Sequence, residues 1–206
     1  MHAKDAAAAD RAVRIPQHSS KSSEYITPPL IIGATKAVMG DIDFDPASSA
    51  RANTVVGAKT FLTAEDDGLT RPWLGRVFVN PPGGKVGNRS LAQMFYWKAV
   101  REWLAFRAAS VVFVGFTLEI LRLSQGDGSL PSALNFPMCV PAERTKFFVD
   151  QHGTLVPMSS PTHANVIIFM PATGDLEEHE RFTKAFSAIG DLVFPFPSIR
   201  RSLVKP

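Results

Sequence analysis

Val77-Phe78-Val79-Asn80-Pro81-Pro82-Gly83 is an apolar run that ends abruptly in two consecutive prolines. Three β-prone residues read as a strand within a sheet, and the prolines then forbid both helix and further ladder pairing, so the strand stops at Asn80. Neither proline has an N–H. The carbonyls of Asn80 and Pro81 are therefore held rigidly with no local donor competing for them, beside a carboxamide that also accepts. Such a pocket suits an –NH2 donor. With both hydrogens engaged, the amine lone pair is drawn out of conjugation with its ring and aimed at an electrophile, and no basic side chain is required.

Downstream, residues 81–89 read as a loop rich in glycine and cations, and Ser90 as the cap of a long amphipathic helix over 90–106 carrying Met94, Phe95, Trp97, Val100, Trp103 and Leu104. The β-branched run 110–116 reads as a buried parallel strand, 117–124 as a helical turn and 125–132 as a flexible loop. Strands are expected over 136–140, 146–149 and 164–170, and a helix over 177–189 closed by Gly190. Upstream, Thr27-Pro28-Pro29 looks like a cap followed by proline in the first turn of a helix over 30–39, which Gly40 ends. Residues 41–45 read as a short strand closed by Pro46, 50–58 as a short helix or turn, 59–63 as a brief strand and 65–68 as an acidic turn. Strands alternating with helices predict an α/β sheet with helices on both faces, and two late strands with little between them predict an antiparallel pair at its edge. Ligands of such open sheets bind beyond the carboxyl ends of the strands, where Asp45 and Asn80 both fall.

The chain has 206 residues, 45% of them hydrophobic, enough for one domain with a core of its own. Residues 1–23 read as a flexible arm, 24–197 as the domain and 198–206 as a basic tail. The formal net charge of +3 permits a nucleic-acid partner without demanding one. A single cysteine, Cys139, excludes an internal disulfide framework and a cysteine-based zinc site. The first ten residues are charged and alanine-rich with no apolar core, and no run of 18 apolar residues occurs. A cytoplasmic protein without membrane or metal is expected.

In order and spacing, Tyr25-Ile26-Thr27-Pro28, Asp43-Phe44-Asp45-Pro46-Ala47-Ser48, Asp67-Gly68-Leu69, Trp73 and Val77-Phe78-Val79-Asn80-Pro81-Pro82 resemble the landmarks of the phage-type DNA N6-adenine methyltransferases, over a segment from Tyr25 to about Pro195. The resemblance implies a Rossmann-like class I methyltransferase sheet of seven strands, mostly parallel with an antiparallel edge hairpin. It also implies S-adenosylmethionine as methyl donor and the N6 amine of adenine in DNA, duplex or single-stranded, as acceptor. Asn80 and the Pro81 carbonyl would accept hydrogen bonds from that amine, with Pro82 holding the turn. Asp45 would lie near the amino-acid end of the cofactor, with Pro46, Ala47 and Ser48 shaping the turn beside it. Thr27 would touch the cofactor carboxylate at a helix N-terminus, and Asp67 the adenosine end. The residue after Pro82, usually an aromatic that stacks on the flipped base, is Gly83 here, and Phe95, Trp97 and Phe116 are the available substitutes.

Other residues carry weaker signals. Lys85 and Arg89 suit a nucleic-acid backbone, and Arg144, Lys146, Arg200, Arg201 and Lys205 would extend the positive surface. Glu119, after a buried strand, is a candidate polar contact, whereas Asp43 reads as solvated or structural and His163 as a capped loop histidine. The loops 81–89 and 125–132 are the candidate readers of a short or relaxed recognition sequence. Cys139 lies outside a nucleophile context, which disfavours methylation at cytosine C5. Two alternatives use the same residues: methylation of a glutamine side-chain amide in a protein, and a catalytically inactive module that binds nucleic acid or cofactor.

Overall fold

The computed structural model describes residues 25–125, 128–159 and 163–195. The expected arm over 1–23 and the tail with Arg200, Arg201 and Lys205 lie outside the described residues. In chain order the elements are α1 (Pro29–Met39), β1 (Phe44–Asp45), α2 (Ala50–Val56), β2 (Thr60–Phe61), β3 (Gly75–Val79), β4 (Lys85–Val86), β5 (Arg89–Ser90), α3 (Leu91–Leu104) and β6 (Ala108–Gly115). They are followed by α4 (Glu119–Leu123), β7 (Met138–Pro141), β8 (Phe148–Gln151), β9 (Thr154–Pro157), β10 (Val166–Met170), α5 (Leu176–Phe186) and β11 (Gly190–Val193).

Seven strands form one mixed sheet in the order β11-β7-β10-β6-β3-β1-β2. The half from β2 to β6 is parallel, while β10 runs antiparallel to both β6 and β7, and β11 antiparallel to β7. Alternation along the strands divides the core in two. Val77, Val79, Val111 and Phe113 pack against Phe95 and Trp103 of α3, whereas Phe78, Val112 and Val114 belong to the opposite cluster with Ile31 of α1 and Phe182 of α5. Helices therefore cover both faces, and the short parallel strands deliver their carboxyl ends to one rim.

Several local expectations are corrected. Thr27 does not cap α1: Pro28 takes that position, its carbonyl accepting from Ile31 N at 3.0 Å and Ile32 N at 3.2 Å, and Pro29 sits where a missing N–H costs nothing. Ser90 occupies the cap position of α3 without a side-chain capping bond. The loop 81–89 contains a small antiparallel ribbon, β4 with β5. The antiparallel region is not an edge pair, since β10 is inserted between β6 and β7 and the edge belongs to β11. Gly190 permits this because a Cβ there would lie 2.0 Å from Val140 O, so a residue read as a helix stop instead opens the edge strand. The segment expected as a strand over 146–149 leaves the sheet and pairs, as β8, with β9. Its turn uses His152 and Gly153 at φ 54 and 86, the left-handed pair that favours a tight hairpin. At the root of this ribbon Ile26 and Phe148 exchange backbone hydrogen bonds of 2.8 Å, which fixes the chain just before α1.

Of the two roles read for Asp43, solvated or structural, the structure shows the second. Its carboxylate accepts Arg76 Nε at 2.7 Å, Arg76 Nη2 at 2.8 Å, Arg76 N at 3.0 Å and Lys59 Nζ at 2.8 Å, tying the entry of β1 to β3. The Arg76 hydrogen bonds hold the Asp43 carboxyl well below the usual carboxylate range, against the opposing effect of partial burial. A depressed folded-state pKa means that this stabilisation is full above the unfolded value, about pH 4, and fades as the pH falls below it. Asp43→Ala is expected to lower unfolding free energy by about 2 kcal/mol at neutral pH, for a charge-assisted fork of this kind. Urea titrations checking this should show the gap between variant and wild type shrinking below about pH 4; a gap that is constant with pH would contradict the assignment.

Candidate functional site

A cavity of about 940 Å³ opens at the carboxyl ends of β1, β3 and β6. Three short segments build its polar wall. The first follows β1. Asp45, 2% exposed, accepts Ala47 N at 3.0 Å through Oδ1, which folds Pro46-Ala47-Ser48 back on the strand tip. Ser49 then caps α2 by accepting Ala52 N at 2.9 Å. Ser48 Oγ is buried on this wall with no hydrogen-bond partner among the described residues, a state that costs about 1–3 kcal/mol unless a ligand satisfies it.

The second segment is the end of β3. Asn80 Nδ2 donates to Tyr25 O at 3.1 Å. A carbonyl can only accept, so this bond fixes the amide orientation and leaves Oδ1 as an acceptor. Asn80, Pro81 and Pro82 all line the cavity. An –NH2 group placed there would meet the Asn80 and Pro81 acceptors together, with no protein N–H on either proline to compete. The third segment, Tyr25-Ile26-Thr27, is held against the rim by the Ile26–Phe148 bridge, and Thr27 is 2% exposed on the cavity wall.

Thus Thr27, Asp45, Pro46, Ala47, Ser48, Asn80, Pro81, Pro82 and Lys85 are brought to one cavity, and Asp67 and Arg89 are not. Asp67 is consumed by its own turn: at φ 54 its carboxylate accepts Leu69 N at 3.1 Å. Its neighbours Thr63, Ala64, Glu65 and Gly68 reach the wall instead. A hydrogen bond with Thr63 is the main cause that keeps the Glu65 carboxyl ionised to lower pH than usual. Arg89 faces a separate groove, its guanidinium 5.9 Å from the centre of the Trp97 ring. Glu119 is exposed and paired with Arg122, away from the cavity.

Comparison with protein-family models, with curated proteins and with solved structures finds no match for this chain. Its function must be argued from the cavity itself.

Of the aromatics considered as substitutes for the residue missing at Gly83, Trp97 lies in the other groove, and Phe95, although it lines the cavity, is 2% exposed and held against Trp73, which leaves little of its ring for a base. Phe116, at the end of β6, remains. It stacks on Tyr25 with ring centres 5.5 Å apart and planes at 25°, and both rings line the cavity. Asn165 Nδ2 donates to Phe116 O at 2.7 Å and steadies this end of the strand, while His163 meets the Phe116 ring edge-on at 5.3 Å. Tyr25 carried no role in the sequence reading. Only the long-range β8–β9 ribbon brings it beside Asn80, and no local pattern announces that contact.

Cys139 is fully buried in β7, and burial, assisted by Asp191, pushes its thiol up to about 12, so it is not a thiolate at neutral pH. Among the described residues no cluster of three or more His, Cys, Asp or Glu side chains could hold a metal, and no helix is long and apolar enough to cross a membrane.

Proposed function

We propose that the protein is an S-adenosylmethionine-dependent methyltransferase acting on the N6 amine of adenine in DNA, within the cytoplasm. The observation that carries this reading is the single cavity joining the Asp45 turn and Thr27 to the Asn80-Pro81-Pro82 acceptors at adjacent strand ends. The mixed sheet, a parallel half continued by β10 and β11 running against it, is compatible with a Rossmann-like class I methyltransferase. A cavity of about 940 Å³ is at the large end for small-molecule sites and fits a cofactor with part of a second ligand.

The residues present fit the cofactor. Asp45 offers negative charge to its amino-acid ammonium, and the orphaned Ser48 hydroxyl supplies a hydrogen bond to its polar end. S-adenosylmethionine supplies a methyl carbon made electrophilic by a sulfonium. Asn80 Oδ1 and Pro81 O hold the two amine hydrogens, so the nitrogen lone pair points at that carbon as the new N–C bond forms. With the C–S electron pair kept by the cofactor as a neutral thioether, the surplus amine proton would pass from beside Asn80 Oδ1 and Pro81 O to solvent. No covalent bond to the protein is involved.

In this reading the two ligands would sit on opposite sides of Asn80. Asp45 lies on the β1 side of Asn80, and the Tyr25–Phe116 stack lies on the β6 side. A flat ring beside that stack is favoured over a flexible glutamine amide, and the base must leave its helix to reach it, at a cost of a few kcal/mol in duplex. Lys85, exposed on the cavity wall, would meet the nucleic-acid backbone. Incubating the purified protein with labelled methyl donor, plasmid DNA and a mixture of proteins tests the reading. Label is expected in DNA; label confined to protein would favour the glutamine amide, and cofactor binding without any transfer would favour an inactive module.

A further inference from the structure

A second groove, of about 520 Å³, runs along α3 and is lined by Arg89, Met94, Trp97, Lys98 and Arg101, with Ser124, Gln125 and Leu130 among the residues opposite. Met94, Trp97, Lys98 and Arg101 occupy one face of the helix, at the spacing that places side chains in a row. We propose that this groove binds the nucleic-acid strand beside the target nucleotide, with Arg89 and Arg101 on phosphates and Trp97 against a neighbouring base. The inference rests on the proposed function and goes beyond it, because none of these residues lines the catalytic cavity.

Three observations select this occupant. The groove is cationic: Arg89 and Arg101 are exposed, and Lys98 meets Glu102 at 2.6 Å, a carboxylate that already shares its charge with Arg107 at 2.5 Å. It carries an aromatic platform, Trp97, that Arg89 covers at 5.9 Å from the ring centre, so a base taking the ring would release the guanidinium toward a phosphate. It also adjoins the cavity across a single ridge. Ser90, Ala92 and Leu123 line the cavity while Arg89, Met94 and Ser124 line the groove, and Gln93 Nε2 donates to Leu123 O at 2.8 Å across the ridge between them. A strand with one nucleotide turned into the cavity would cross this ridge and lay the next along α3.

The test measures binding of a short adenine-containing single strand by fluorescence anisotropy across a salt series, for the wild type, the double variant Arg89→Gln/Arg101→Gln, and Trp97→Leu. The double variant is expected to bind at least about tenfold more weakly at low salt, and its slope of log K against log salt to be shallower by about one to two. Trp97→Leu is expected to lose about three- to tenfold with the slope unchanged. S-adenosylmethionine affinity, measured by calorimetry, should stay within about twofold in all three and so reports that the fold is intact. A double variant that binds DNA with wild-type affinity and slope overturns this inference while leaving the proposed function standing. Wild-type protein that binds no DNA at any salt overturns both. Poly-glutamate competing as well as DNA of equal charge would assign the groove to an acidic peptide and overturn it too.

Discussion

Replacing Asn80 by alanine is expected to lower methyl transfer at least about a hundredfold, the scale of removing one preorganised polar group from a reacting centre. Binding of S-adenosylmethionine should change by no more than a few fold, because in the proposed arrangement Asn80 would face the acceptor amine and Asp45 the cofactor. The loss has two sources. One acceptor for the amine disappears, so its lone pair stays conjugated with the ring. The bond from Asn80 Nδ2 to Tyr25 O also disappears, which frees the ring that stacks on Phe116. Asn80→Asp separates these effects, since it keeps an acceptor for the amine while it loses the bond to Tyr25 O and sets a carboxylate against that carbonyl. Its activity should therefore lie between alanine and wild type. Single-turnover transfer rates with calorimetric cofactor affinities check the claim, and an alanine variant within threefold of wild type would contradict it.

Gly68→Ala is expected to weaken cofactor binding at least about tenfold and to cost about 1–3 kcal/mol of stability, as overpacking of a tight site does. A Cβ at Gly68 would stand 2.0 Å from Pro46 O and 3.0 Å from Pro46 C, and the backbone of the Asp45 turn cannot yield to it as a flexible side chain would. Displacing Gly68 is also resisted, because its carbonyl accepts Trp73 Nε1 at 2.7 Å and Trp73 is fully buried. The 63–70 loop would have to pull away from the Asp45 turn, at the proposed cofactor end of the cavity. Gly83→Ala is the internal control for stability, since a Cβ there meets nothing within 4 Å. Calorimetric affinities and thermal melting of the two variants decide the matter; equal behaviour of Gly68→Ala and Gly83→Ala would show that the loop does not brace the site.

The two strand tips were legible because proline writes them plainly. Pro46 after Asp45, and Pro81-Pro82 after Asn80, end their strands on chemistry that local backbone rules dictate, and both tips do meet at one cavity. The long buried strand β6 and the amphipathic α3 were equally readable, since period and β-branching agree there with the packing found. What escaped depends on contacts between distant parts of the chain. The β8–β9 ribbon fixes Tyr25 beside Asn80 through Ile26, and neither end of that link carries a pattern pointing to the other. The resemblance implies Asp67 at the adenosine end, but its left-handed backbone turns the carboxylate onto Leu69 N and leaves Gly68 to form the wall. Arg89 was placed on nucleic acid for its charge alone, whereas its setting over Trp97, outside the cavity, emerges only once β4 and β5 pair and α3 is in place.

Nucleoside mass spectrometry of plasmid DNA incubated with the purified protein and S-adenosylmethionine bears on the acceptor amine itself. N6-methyl-2′-deoxyadenosine should accumulate with time. A methyl group found only on cytosine, or no modified nucleoside at all from protein that binds the cofactor, would contradict the assignment of Asn80 and Pro81 to the adenine amine.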